Sequence, residues 1–153
     1  MKTYVKLLSF TAAMGFVFVT AYASGLLIDL ESASWQAIAP KIALLPSGKV
    51  FQWAWITVYA LFVVLLTPTV ANRRYRGVLP LWGLVGLLNV LWCAAFFMLE
   101  LPLFALSVLI VEIALLSVLT DFYIRNTKYL WIAMIPILAW YIFAATLNID
   151  ALI

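Results

Sequence analysis

The chain contains no histidine, a single cysteine (Cys93) and few charges: only 10% of its 153 residues are Asp, Glu, Lys or Arg. Each shortage removes a class of chemistry. Without histidine there is no His-bearing metal site, no Ser-His-Asp triad and no haem on a proximal histidine. One cysteine allows no disulfide within the chain. A net charge of +3, carried by residues between the apolar runs, gives no basic face for nucleic acid, so none is expected as a partner. The scarcity of charge also limits the solvent. At 68% hydrophobic residues and a mean hydropathy of +1.17, the polar residues cannot clothe a water-facing surface, and lipid must cover most of the chain.

What is present is apolar and continuous. Five runs, near 6–28, 48–70, 79–99, 102–123 and 129–149, are each long enough to cross a bilayer as a helix of about 20 residues. The expected fold is therefore an all-α membrane protein, a bundle of five transmembrane helices forming one domain over 1–153. The N-terminal run follows two lysines as a secretion signal would, but it is longer than the apolar core of such signals, so it reads as a retained span. With five spans, the N-terminus and the second and fourth connections share one side of the membrane. That side carries Lys2, Lys6, Arg73, Arg74, Arg76, Arg125 and Lys128, against Lys41 and Lys49 opposite. In a bacterial-type cell membrane the asymmetry puts the N-terminus in the cytoplasm and the first loop outside.

Side chains four apart share a helix face. In VFQWAWITVY, residues 50–59, this spacing divides an aromatic cluster. Gln52 and Trp53 suit the membrane edge, where tryptophan is favoured. Phe51, Trp55 and Tyr59, followed by Phe62, form an inward stripe that periodicity alone assigns to helix packing before a ligand wall. The third run has a comparable stripe of Trp82, Asn89 and Phe96 with Trp92 at its edge. Asn89 lies at mid-depth, where an unpaired amide is costly, so it should face a neighbouring helix or a polar ligand. Gly83 and Gly86 suit a close helix approach. In the fifth run Pro136, Trp140, Ala144 and Leu147 align, with small Ala144 and Ala145 leaving room and Asn148 at the end. Glu112, at the centre of the fourth run, has three readings: it binds a cationic group, relays protons, or is a structural hydrogen-bonding group.

These motifs, in order and at matching spacing, resemble the TspO/MBR family, the tryptophan-rich sensory proteins that include the mitochondrial translocator protein. Val50-Phe51, Trp55 and Tyr59 fit the family's VF-x-x-x-W-x-x-x-Y. Asn89, Trp92, Phe96 and Phe97 fit N-x-x-W-x-x-x-FF, and Pro136, Trp140, Ala144-Ala145 and Leu147-Asn148 fit the pattern of the last span. The first loop keeps Trp35, Lys41 and Pro46 of the family's W-Y-x-x-L-x-K-P-x-W-x-P-P but lacks its Tyr and second Trp. Cys93-Ala94 stand where a Pro often follows the third-span Trp, Ile137 replaces a Tyr after Pro136, and Glu112 has no counterpart in the family pattern.

The resemblance implies a five-helix bundle, commonly a homodimer, that binds porphyrins and other flat hydrophobic ligands for transport, sensing or stress response. It needs no obligatory cofactor. By position, the ligand pocket would use Trp35, Phe51, Trp55, Tyr59, Asn89, Trp92, Phe96, Trp140 and Ala144. Trp55 and Trp140 match the pair implicated in light- and oxygen-dependent porphyrin degradation, which makes an enzyme the alternative reading. A membrane scaffold without ligand turnover is the other. A loose sterol-type pattern, Val118, Tyr123 and Arg125, is weak evidence, and sterol binding is not expected as the main role.

Overall fold

The computed structural model describes residues 3–28, 35–36 and 39–153. Five long helices carry the described chain: α1 (Thr3–Leu26), α2 (Gly48–Ala71), α3 (Leu79–Cys93), α4 (Pro102–Asn126) and α5 (Met134–Asp150). Short 3-10 turns occupy Ala39–Lys41, Arg73–Val78 and Leu130–Ala133. With these turns included, five segments are long and apolar enough to cross a membrane, and their bounds fall within a few residues of the expected spans except that the third begins earlier, at Arg73. The all-α bundle of five transmembrane helices is therefore the fold. Lys2, counted in the charge asymmetry, and part of the first loop lie outside the described residues.

The helices close a ring in the order α1, α2, α5, α4, α3. Small side chains set the closeness of α1, whose buried stripe is Ser9, Ala13, Val17, Thr20 and Ser24. Gly86 completes that contact from α3: a Cβ there would lie 2.6 Å from the Phe16 ring and 3.0 Å from the Thr20 hydroxyl. Gly83, by contrast, meets nothing, so only one of the two glycines serves a close approach.

Chain ends and turns follow local chemistry. Pro80 and Pro102 sit in the first turns of α3 and α4, where a missing N–H costs nothing. The Asn72 side chain accepts from Arg74 N–H and starts the turn after α2. α3 ends in a π turn over Ala94–Met98, in which Leu99 N–H bonds to Ala94 O at 2.9 Å. The wider turn brings both Phe96 and Phe97 inside. Glu100 then takes a left-handed φ of 53° to reverse the chain within three residues before Pro102.

Two hydrogen bonds tie connections together at opposite ends of the bundle. Tyr75 donates to Asn126 O at 2.8 Å, which places the second and fourth connections at one end. Leu44 N–H donates to Asp150 Oδ2 at 3.2 Å, holding the first loop against the end of α5. Near the first of these ends lies a buried polar knot. The Tyr123 hydroxyl meets Thr69 Oγ1 at 2.8 Å, receives the Trp82 indole N–H at 3.1 Å and donates to Leu65 O at 3.3 Å.

Candidate functional site

The half of the bundle beneath the first loop is walled by aromatic rings. Trp55 is the hub, with ring centroids 5.6 Å from Tyr59, 5.6 Å from Trp92, 6.1 Å from Trp140 and 5.8 Å from Tyr141. Phe51, one turn before it, sits edge-on to Phe97 at 6.0 Å and Trp140 at 5.9 Å. Trp92 stacks on Phe96 at 5.8 Å, as their four-residue spacing requires on one helix face. Trp35 descends from the first loop onto this group, 5.9 Å from Phe96 and 4.9 Å from Phe97, and is buried. Offset and edge-to-face arrangements of this kind let the electron-rich face of one ring meet the positive edge of the next.

Seven of the nine residues expected at the pocket (Trp35, Phe51, Trp55, Tyr59, Trp92, Phe96 and Trp140) thus form one contiguous ring cluster. Asn89 joins through Tyr59, whose hydroxyl donates to Asn89 Oδ1 at 2.9 Å. Ala144 is fully buried, and its carbonyl accepts from Asn148 Nδ2 at 2.7 Å, but it borders neither of the two aromatic cavities described next. Gln52 and Trp53 are both exposed, but only Trp53 is clear of the pocket: Gln52 also borders the larger of the cavities described next.

Two cavities adjoin the cluster and share Gly48 and Phe51 as a common wall. The larger, about 500 Å³, opens between α1 and α2 and is bordered by Ser24, Phe51, Trp55, Tyr59 and Cys93 among others. The smaller, about 210 Å³, lies under the loop between Trp35, Leu45, Pro46, Trp92, Phe96 and Phe97. A third space of about 340 Å³, between α2 and α5, has Trp140 on its rim. The larger cavity lies within the range typical of small-molecule sites, and its border is mostly apolar with a few polar groups, as such sites are.

Polar groups at the centre are organised around Asn89. Its Oδ1 accepts from Ser24 at 3.1 Å as well as from Tyr59, and its Nδ2 donates to the Tyr141 hydroxyl at 3.1 Å. Glu112 reaches the same region from α4, fully buried and beside Tyr141, with neither carboxyl oxygen in a hydrogen bond. The indole N–H groups of Trp55, Trp92 and Trp140 are likewise buried without a partner.

The residue missed from sequence is Tyr141. The expected stripe Pro136, Trp140, Ala144 and Leu147 is displaced by about one residue from the observed inner face, which is Met134, Ile137, Tyr141, Ala144, Leu147 and Asn148. Pro136 is exposed and Trp140 lies at the edge of that face, half-buried. The available signal was the spacing of Tyr141 from Ala144 and Asn148, three and seven residues on, which places it on their face.

The fold and this site define an integral, multi-pass membrane protein with an aromatic-walled interior. Its sequence matches the model of the TspO/MBR family over residues 11–153, nearly the whole chain, and the protein belongs to that family. A comparison with curated proteins finds no match.

Proposed function

We propose that the protein binds flat hydrophobic ligands of the porphyrin and tetrapyrrole class within the bundle, for transport, sensing or a stress response. The observation that carries this reading is the hub around Trp55: rings from three helices, α2, α3 and α5, and from the first loop converge beside a cavity of about 500 Å³. A macrocycle offers a wide π-face to such walls. Three buried indole N–H groups without partners favour a ligand that also carries acceptor oxygens, because each unsatisfied donor is costly in an apolar interior. Family membership supports membrane ligand binding in general terms.

The test is a titration of the purified protein with protoporphyrin. Tryptophan fluorescence is expected to be quenched with saturation, and Trp55→Phe and Trp140→Phe are each expected to weaken binding by a few-fold, on the order of the value of one aromatic contact. Unchanged quenching in the double variant would refute this pocket. A second reading, light-driven porphyrin degradation, draws on the edge-to-face pair Trp55 and Trp140 at 6.1 Å. It requires protein-dependent bleaching of the porphyrin Soret band under illumination and oxygen. By the charge asymmetry we place the N-terminus in the cytoplasm and the first loop outside, and by family resemblance we propose a homodimer.

A further inference from the structure

We infer that Phe51 is the specificity-determining residue of the aromatic interior: its ring divides one bipartite pocket in two, so that a narrow flat ligand takes a single chamber and a wide one must displace the ring. The inference rests on the reading of this interior as a ligand site and names what selects among its ligands.

The rings of the site do not all face the same space. Trp55 and Tyr59 border the larger cavity, and Trp35, Trp92 and Phe96 the smaller. Only Gly48 and Phe51 border both. Gly48 has no side chain, and a Cβ placed on it would meet nothing within 4 Å. The ring of Phe51 is therefore the side chain that keeps the chambers apart, and a ligand that stacks on both sets of rings has to cross there. The chambers also differ in chemistry. The larger is bordered by Ser24, Gln52, Tyr59 and Cys93 as well as rings. The smaller is bordered by rings and aliphatic side chains, with its polar side-chain atoms confined to the indoles of Trp35 and Trp92.

Two opposed effects meet at this ring. Each chamber is bordered by one buried tryptophan whose N–H has no partner, Trp55 in the larger and Trp92 in the smaller. Their rings are 5.6 Å apart. A ligand confined to one chamber has one of these donors beside it, whereas a ligand that fills both has two, and an unsatisfied buried donor is costly. Against that gain stand the edge-on contacts that hold Phe51 to Trp55, Phe97 and Trp140. The ring has room to yield. Phe51 is half-buried at the start of α2, and Trp140, on which it leans, is also half-buried and borders the third space of about 340 Å³. Wide ligands are thus admitted with a penalty that narrow ligands do not meet, and Phe51 sets its size.

The experiment titrates the full chain in lipid nanodiscs with a wide probe, protoporphyrin, and a narrow one, fluorenone, a flat three-ring ketone, using empty nanodiscs as the blank. Wild type is expected to bind both, with fluorenone displacing protoporphyrin. Phe51→Ala is expected to move the two affinities in opposite directions. Protoporphyrin should bind about tenfold tighter, the equivalent of one strong ring contact that no longer has to be broken. Fluorenone should bind about threefold weaker, because its chamber loses one ring of the wall. Where Phe51→Ala does not fold, Phe51→Leu must give the same opposed signs at smaller size. Shifts of the same sign for both probes, or none, make Phe51 an ordinary wall residue and overturn its selecting role while leaving the pocket standing. Protoporphyrin that fluorenone does not displace lies elsewhere and overturns the bipartite site. A wild type that binds no protoporphyrin overturns the porphyrin reading and this inference with it.

Discussion

The Tyr123 hydroxyl meets three polar groups: Thr69, the Trp82 indole and Leu65 O. Removing the oxygen orphans the Trp82 donor in a fully buried site. Tyr123→Phe is therefore expected to cost about 1–2 kcal/mol, read as a shift in the unfolding midpoint in mixed micelles. Trp82→Phe in the same background should cost less than in wild type, because its partner is already gone. Asn89 was legible from sequence because a polar group at mid-depth must find company, and it bonds to Ser24, Tyr59 and Tyr141. Tyr141 was not, since beside Trp140 it is one of two adjacent aromatic residues, and aromatic character alone does not say which ring turns inward.

The same limit operates at the scale of the element. In water, a helix advertises its buried face by being apolar there and polar elsewhere. In lipid both faces are apolar, and the pattern that located all five helices could not orient them. What remains readable is an aromatic stripe, as at Phe51, Trp55 and Tyr59 on α2, and side-chain size. The stripe of Ser9, Ala13, Val17, Thr20 and Ser24 on α1 marks where a neighbour comes close, and Gly86 answers it from α3. Gly86→Leu is expected to push α1 and α3 apart and lower thermal stability by several degrees, with about 1–3 kcal/mol of overpacking. Gly83→Ala, which meets nothing, should be neutral or slightly stabilising through better helix propensity. Thermal unfolding of the two variants side by side checks the contrast. The π turn at Ala94–Met98 had no sequence signature beyond the adjacent Phe96 and Phe97, which an uninterrupted α-helix would direct about 100° apart.

For the whole molecule, the ring order and the two end contacts leave Arg73, Arg74, Arg76, Arg125 and Lys128 at one end and Lys41 and Lys49 at the other. Single cysteines placed on these ends test the proposed orientation cleanly, because the native Cys93 is buried. Lys49→Cys is expected to react with a membrane-impermeant maleimide in intact cells, and Lys128→Cys only after the membrane is opened; the reverse pattern would invert the topology.

Phe51 stands between the two aromatic cavities, held edge-on by Trp55, Phe97 and Trp140 at 6.3, 6.0 and 5.9 Å. A ligand wider than either chamber fills both only when this ring swings aside, breaking three contacts of about 0.5–1.5 kcal/mol each. Arrival and seating are then separate events in time. The first scales with how much ligand is present, while the second runs at the pace of one phenylalanine leaving its place, however crowded the membrane becomes.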